Sequence, residues 1–170
     1  QAWAGGDNSS VNTDLVNIVD IYSTEDAFAA IREDGSVVTW GNSGGNSNTV
    51  STQLESGVIE IFATQQAFAA LKDDGSVVTW GGDTVGGDSS SASVKLAQGV
   101  KTIASTKQAF AAITLDGSVV AWGIPESGGS GIDEAETLNT SIVALASNDS
   151  AFAALTDEGA VIAWGNQEKG

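Results

Sequence analysis

Cysteine, histidine and methionine do not occur in this 170-residue sequence, and proline occurs once. Without cysteine there is neither a disulfide framework nor a thiolate metal site. Without histidine the chain lacks the usual general base and the commonest transition-metal ligand. Basic residues are scarce as well: six against twenty-two acidic ones, for a formal charge of −16. Such a field repels nucleic acid and anionic membrane surfaces, so neither is expected as a partner. The acidity reads as solubility in a salty or extracellular setting. No apolar run reaches the roughly eighteen residues of a membrane-spanning helix, and residues 1–20 lack the basic start and apolar stretch of a signal peptide. The sequence therefore reads as a soluble protein that is mature, excised or leaderless. Hydrophobic residues make up 41%, enough for a core.

What the sequence does contain is repetition. The text Ala67 to Gly81, AFAALKDDGSVVTWG, recurs at Ala27 to Gly41, Ala109 to Gly123 and Ala151 to Gly165. Phe28, Phe68, Phe110 and Phe152 are thus spaced by 40, 42 and 42 residues, as are Trp40, Trp80, Trp122 and Trp164. A period near forty marks a stacked array of supersecondary units. We read residues 1–170 as one repeat domain with units at about 4–41, 42–81, 82–123 and 124–165. Its start, Gln1-Ala2-Trp3, reads as the tail of a preceding unit.

Each unit opens on a polar loop rich in Gly, Asn, Ser and Asp: Gly5 to Ser10, Asn42 to Asn48, Gly81 to Ser93, and Ile124 to Gly131. These residues punctuate strands because they tolerate positive φ or bond their own backbone. A spaced apolar segment follows, with Leu15, Leu54, Leu96 and Leu138 ahead of Ile18/Ile21, Val58/Ile61, Val100/Ile103 and Ile142/Leu145. The spacing permits a helix over Val50 to Phe62, but Gly57, Gly99 and the β-branched content favour a short strand. The small polar residues Ser23-Thr24, Ala63-Thr64, Ser105-Thr106 and Ser147-Asn148 then suggest a close approach.

A hairpin completes the unit. Asp-Gly between apolar runs is a strong reversal signal, at Gly35, Gly75 and Gly117, with Glu158-Gly159 as a weaker fourth copy. Both hairpin faces are apolar, Phe68 and Ala70 on one and Ala67, Ala69 and Leu71 on the other, so each hairpin is expected to lie between neighbours. The alanines give the clearance that the Phe and Trp side chains fill. The fold class is all-β.

The run of small apolar strand, Asp-Gly turn, Val-Val-x-Trp-Gly, Gly-rich loop, leucine and Val-x-x-Ile resembles the repeat of the regulator of chromosome condensation family over nearly the whole chain. It is also similar to the repeat of propeller-type β-lactamase inhibitor proteins and to tandem repeats of large microbial and algal proteins. The resemblance implies four-stranded blades in a β-propeller. The sequence departs from the family in having Phe-Ala-Ala where histidine and leucines are usual, in its Gly-Gly-Asp-Ser-Ser text at Gly86 to Ser90, and in having four repeats where seven are common. A closed four-bladed propeller, a partial one completed by a second chain, and an open stacked superhelix all fit the count.

No constellation for catalysis emerges, and no cofactor is expected. The acid pairs Glu33-Asp34 and Asp73-Asp74 lie in the repeated turns, where turn formation accounts for them. Asp83 and Asp88 in Gly81 to Asp88 faintly suggest a calcium-binding glycine-aspartate repeat. Asn8, Asn139 and Asn148 stand in glycosylation-acceptor sequences. The four tryptophans suit core packing better than sugar stacking. These features point to a non-enzymatic structural or interaction module in an extracellular or surface assembly, associating with itself through its terminal repeats. The alternative is a propeller gripping a protein partner through its variable loops, which contain no aromatic anchor. The family resemblance also implies, more weakly, nucleotide exchange on a Ran-type GTPase.

Overall fold

A computed structural model describes residues 6–42, 44–130 and 141–169. It contains four three-stranded antiparallel meanders: β1 (Ile18–Ser23), β2 (Ala27–Arg32) and β3 (Val37–Gly41); β4 (Val58–Ala63), β5 (Ala67–Lys72) and β6 (Val77–Gly81); β7 (Val100–Ser105), β8 (Ala109–Thr114) and β9 (Val119–Gly123); β10 (Ile142–Ser147), β11 (Ala151–Thr156) and β12 (Val161–Gly165). The architecture is all-β, with four blades of the propeller type. No backbone hydrogen bond among the described residues joins the fourth sheet to the first, so the sheets do not close into a ring.

Two expectations need correction. Among the described residues each blade has three strands, whereas the family resemblance implied four. The segment read as possible strand is helical in its first half: Asn48–Leu54 forms a 3-10 helix, and Ser90–Ala92 continues into a helical turn at Ser93–Leu96. Serine occurs in both segments and bonds nearby backbone: the Ser51 and Ser93 hydroxyls donate to the Asn48 and Ser90 carbonyls, at 3.1 and 2.9 Å. Leu54 and Leu96 are buried as plugs between sheets, while Leu138 lies outside the described residues.

The three-residue apolar spacing has its own explanation. Every first strand carries a β-bulge, between Ile18 and Asp20, Val58 and Glu60, Val100 and Thr102, and Ile142 and Ala144. The extra residue lets Val58 and Ile61 share a face although they are three apart, and it turns Val19, Ile59 and Val143 to solvent.

The interior consists of three seams. Ala27, Ala29 and Ile31 of the first sheet pack on Phe68, Ala70, Val78 and Trp80 of the second. The same arrangement joins Ala67, Ala69 and Leu71 to Phe110, Ala112, Val120 and Trp122, and Ala109, Ala111 and Ile113 to Phe152, Ala154 and Trp164. Each sheet thus offers an alanine face forward and an aromatic face backward, as the two-faced apolar pattern requires.

At each hairpin turn the glycine is left-handed, at φ +76, +78, +82 and +85 for Gly35, Gly75, Gly117 and Gly159. Asp34 and Asp74 each accept the N–H and hydroxyl of the serine two residues on, at 2.9 and 2.6 Å. Glu158 does not take this role; the Thr156 hydroxyl accepts the Ala160 N–H instead, at 3.0 Å. Those serine donors, hydroxyl foremost, hold the Asp34 and Asp74 carboxyls below their ordinary value of 3.8, and Asp116 is lowered chiefly by the Thr114 hydroxyl. A lowered folded-state value means the unfolded chain takes up protons first, so the turn contribution is present above pH 3.8 and is lost as pH falls through the lowered values. Urea midpoints measured from pH 5 down to pH 2 should therefore drop less steeply in an Asp34→Asn, Asp74→Asn variant, whose amides keep the turn but do not titrate.

Candidate interaction surfaces

The residues singled out by the repeat are mostly interior. Each Phe stacks on its own Trp, at centroid separations of 5.2, 5.2, 5.3 and 5.3 Å. The indole N–H then reaches back one sheet: Trp80 donates to the Gly44 carbonyl at 2.9 Å, Trp122 to Gly86 at 3.1 Å and Trp164 to Gly128 at 3.0 Å. Phe28 and Trp40 differ in being only half-buried. Core packing, rather than sugar stacking, therefore occupies Trp80, Trp122 and Trp164.

The acceptor and metal candidates separate on the surface. Asp83 and Asp88 are both exposed; the Asp88 carboxylate accepts the Ser90 N–H at 2.8 Å, which lowers its pKa. Among the described residues no three metal-ligating side chains gather in one place. Asn148 is occupied as a turn cap: its side-chain oxygen accepts the Ser150 and Ala151 N–H groups and its amide donates to the Lys169 carbonyl. Asn8 is exposed, and Asn139 lies outside the described residues. Tyr22 is half-buried against the second sheet; that burial, followed by its hydrogen bond to Asp20, pushes its hydroxyl up to about 12.

Two rims hold consecutive sheets in step. At the turn rim, the Gly35, Gly75 and Gly117 carbonyls accept the Val58, Val100 and Ile142 N–H groups of the following sheet, at 3.0, 2.9 and 2.9 Å. At the opposite rim, the tips after β1, β4, β7 and β10 form a backbone ladder. Glu25 N–H donates to Gln65, Gln65 to Lys107 and Lys107 to Asp149, at 3.0, 2.9 and 3.1 Å. Side chains follow the same steps: Gln65 donates to Glu25 at 2.8 Å, and Lys107 pairs with Asp149 at 2.6 Å. The four tips surround one shallow polar mouth. Thr64 and Thr106 explain why small polar residues stand beside it. Their hydroxyls cap Ala67 and Ala109 and donate to the Val85 and Ser127 carbonyls at 3.0 Å, where a larger side chain would not fit.

Sequence reasoning does not single out Glu25, Gln65, Lys107 and Asp149. Their signal is a position three before each Phe, close to the best-kept text, where the four copies range from acid to amide to base.

The two end faces form the remaining surface. The aromatic face of the first sheet leaves Ile21 58% exposed, whereas its equivalent Ile61 is at 2%. The alanine face of the fourth leaves Leu155 39% exposed, against 3% for Leu71, and Val161 and Ala163 are exposed beside it. No helix among the described residues is long and apolar enough to cross a membrane.

No protein-family model matches the sequence, and no curated protein matches it either. Solved structures do resemble its fold. Human WBSCR16 is 18% identical, with 87% of this chain and 47% of that one covered at a TM-score of 0.56. The ectodomain of the Physcomitrella patens receptor kinase CR4 is 16% identical, with 90% and 42% covered at 0.59. Prp20p from Saccharomyces cerevisiae, described with its binding properties to Gsp1p and histones, is 16% identical, with 86% and 43% covered at 0.56. The chain therefore spans about half, or less, of each of these three structures, and what it shares with them is the repeat fold of propellers like the regulator of chromosome condensation.

Proposed function

We propose that this chain is a non-enzymatic interaction module whose partner is a second copy of itself, joined head to tail through the first and fourth sheets. One observation carries the reading: the three internal seams are copies of a single alanine-to-aromatic contact, and the two faces left over are its two halves. Ala151, Ala153 and Leu155 match Ala67, Ala69 and Leu71, which receive an aromatic face; Phe28, Ala30, Val38 and Trp40 match Phe68, Ala70, Val78 and Trp80, which fill an alanine face. On the first sheet Ala30 and Val38 are buried but Phe28 and Trp40 are only half-buried and Ile21 is exposed, and on the fourth Leu155 is exposed; apolar faces left partly open in this way mark an interaction surface. A head-to-tail contact either closes a ring or continues as a fibre, depending on the rotation between copies.

Protein binding by Prp20p, a propeller of related fold, supports the general class of interaction module. An extracellular or cell-surface assembly belongs to the same reading, in which the −16 charge serves solubility.

Sedimentation velocity over a concentration series tests the proposal. The chain should move from monomer to larger species, and Leu155→Asp should weaken that association at least about tenfold while leaving the thermal midpoint nearly unchanged, because Leu155 is exposed and its charge would be buried only in the complex. A chain that stays monomeric at high concentration overturns the reading.

A further inference from the structure

The polar mouth bears on how such a junction would be controlled, a question that rests on the head-to-tail reading. Within the chain, consecutive tips are chemically matched. Glu25 meets Gln65, which donates to it, and Lys107 meets Asp149 as an ion pair. The tip dipeptides run Glu25-Asp26, Gln65-Gln66, Lys107-Gln108 and Asp149-Ser150. Only the first carries two carboxylates. A copy continuing the array would bring the Asp149 N–H to the Glu25 carbonyl of the second copy, repeating the ladder step seen three times inside.

We infer that the junction between copies is electrostatically gated, because continuing the ladder sets the Asp149 carboxylate beside Glu25 of the second copy, a like-charge contact found between no two consecutive tips within the chain. The backbone and apolar parts of the seam favour joining; the axial tips oppose it. Lys107 is the cation nearest the contact, and it is already committed: it pairs with Asp149 and lies within the field of Glu25 in its own chain, both of which raise its pKa. Asp26, next to Glu25, adds to the negative side. At the turn rim the same junction would bring Asp157 and Glu158 towards Glu33 and Asp34, with Arg32 held at 4.0 Å from Asp14 as the cation on that side. Acidic turns face each other in the same way inside the chain, where Glu33 and Asp34 share a cavity with Asp73, Asp74 and Lys72. The surplus peculiar to the junction therefore lies at the tips, and dissolved salt or a single charge change there should release it.

The internal seams supply the substitutions that test the gate. Glu25→Lys copies Lys107 and would pair with Asp149 of the preceding copy; Glu25→Gln copies Gln65 and removes the repulsion alone. Glu25 is exposed, so both variants should fold. Sedimentation equilibrium at about 0.02 M and about 0.5 M sodium chloride, a range over which the screening length falls severalfold, reads the effect. Wild type should associate about tenfold more tightly at high salt. At low salt Glu25→Lys should associate about tenfold more tightly than wild type, with Glu25→Gln between them, and Glu25→Lys should lose the salt enhancement. Association that Leu155→Asp abolishes but Glu25→Lys leaves unchanged at low salt overturns the gate alone. A wild-type chain and Glu25→Lys variant that both stay monomeric at both salt concentrations overturn the head-to-tail reading, and the gate with it.

Discussion

Trp122→Ala should lower the unfolding free energy by about 3–5 kcal/mol from the lost ring and the cavity it leaves. Trp122 is 1% exposed and lies at the centre of the seam between the second and third sheets. It also stacks on Phe110 at 5.3 Å, and its N–H is the side-chain donor to the Gly86 carbonyl at 3.1 Å. Removing it leaves that buried carbonyl without the indole, a further cost of about 1–3 kcal/mol. Together these approach the whole stability of an ordinary domain, about 5–15 kcal/mol. Because each sheet contacts only its neighbours, the damage should split the array instead of weakening it uniformly. Guanidinium unfolding followed by far-ultraviolet circular dichroism should change from one transition to two, or show no folded baseline at all. Trp40→Ala is the internal control. Trp40 makes the same stack, at 5.2 Å, but is half-buried, so its loss should cost clearly less and preserve the single transition.

The second large effect comes from one turn position read in two places. Gly75 and Gly159 have nearly the same backbone, at φ +78 and +85. Alanine at either position costs about 1–2 kcal/mol for the left-handed conformation. The surroundings differ. A Cβ on Gly75 would lie 2.7 Å from the Gly99 nitrogen, whereas a Cβ on Gly159 would meet nothing within 4 Å. Gly99 is backbone and cannot rotate away, so Gly75→Ala should cost about 2 kcal/mol more than Gly159→Ala by forcing the turn off the next sheet. The difference between the two variants, measured by urea unfolding of the dilute monomer, isolates the docking of one sheet on another from the strain of the turn. Equal losses would mean that the turn-rim contact contributes nothing to holding the sheets together.

How much of this can be read in the sequence depends on whether the cause is local. The Asp-Gly turns are legible because a left-handed glycine and an aspartate capping a serine two residues on act within five residues. The two-sided packing is legible because Ala67, Ala69 and Leu71 alternate with Phe68 and Ala70, and period two fixes which side chains share a face. The first strands are harder to read: a bulge makes Val58 and Ile61 neighbours at a spacing that strand periodicity forbids and helix periodicity allows. The 3-10 segment over Asn48–Leu54 is half legible: Val50 and Leu54 stand four apart, as a helix allows, but only Leu54 is buried and the residues between are polar. The tip ladder is invisible in principle from any one copy. Glu25 and Gln65 meet because two sheets stand side by side, and nothing within one unit marks the contact. The incomplete ring belongs to the same class, because closure depends on the rotation between sheets and not on the residues of any single sheet.

The three indole bonds each span the same 36 residues, from Gly44 to Trp80, Gly86 to Trp122 and Gly128 to Trp164, although the repeats are not all the same length. The two residues by which the first interval is shorter all fall between the Trp-Gly pair and the accepting glycine, as Gly41 to Gly44 against Gly81 to Gly86. The chain thus keeps a fixed ruler and an adjustable slack. From the accepting glycine to the next tryptophan the length is set by geometry, and whatever the protein changes in size it changes in the few residues before it. That short interval is where a foreign peptide could be grafted without disturbing the spacing of the sheets.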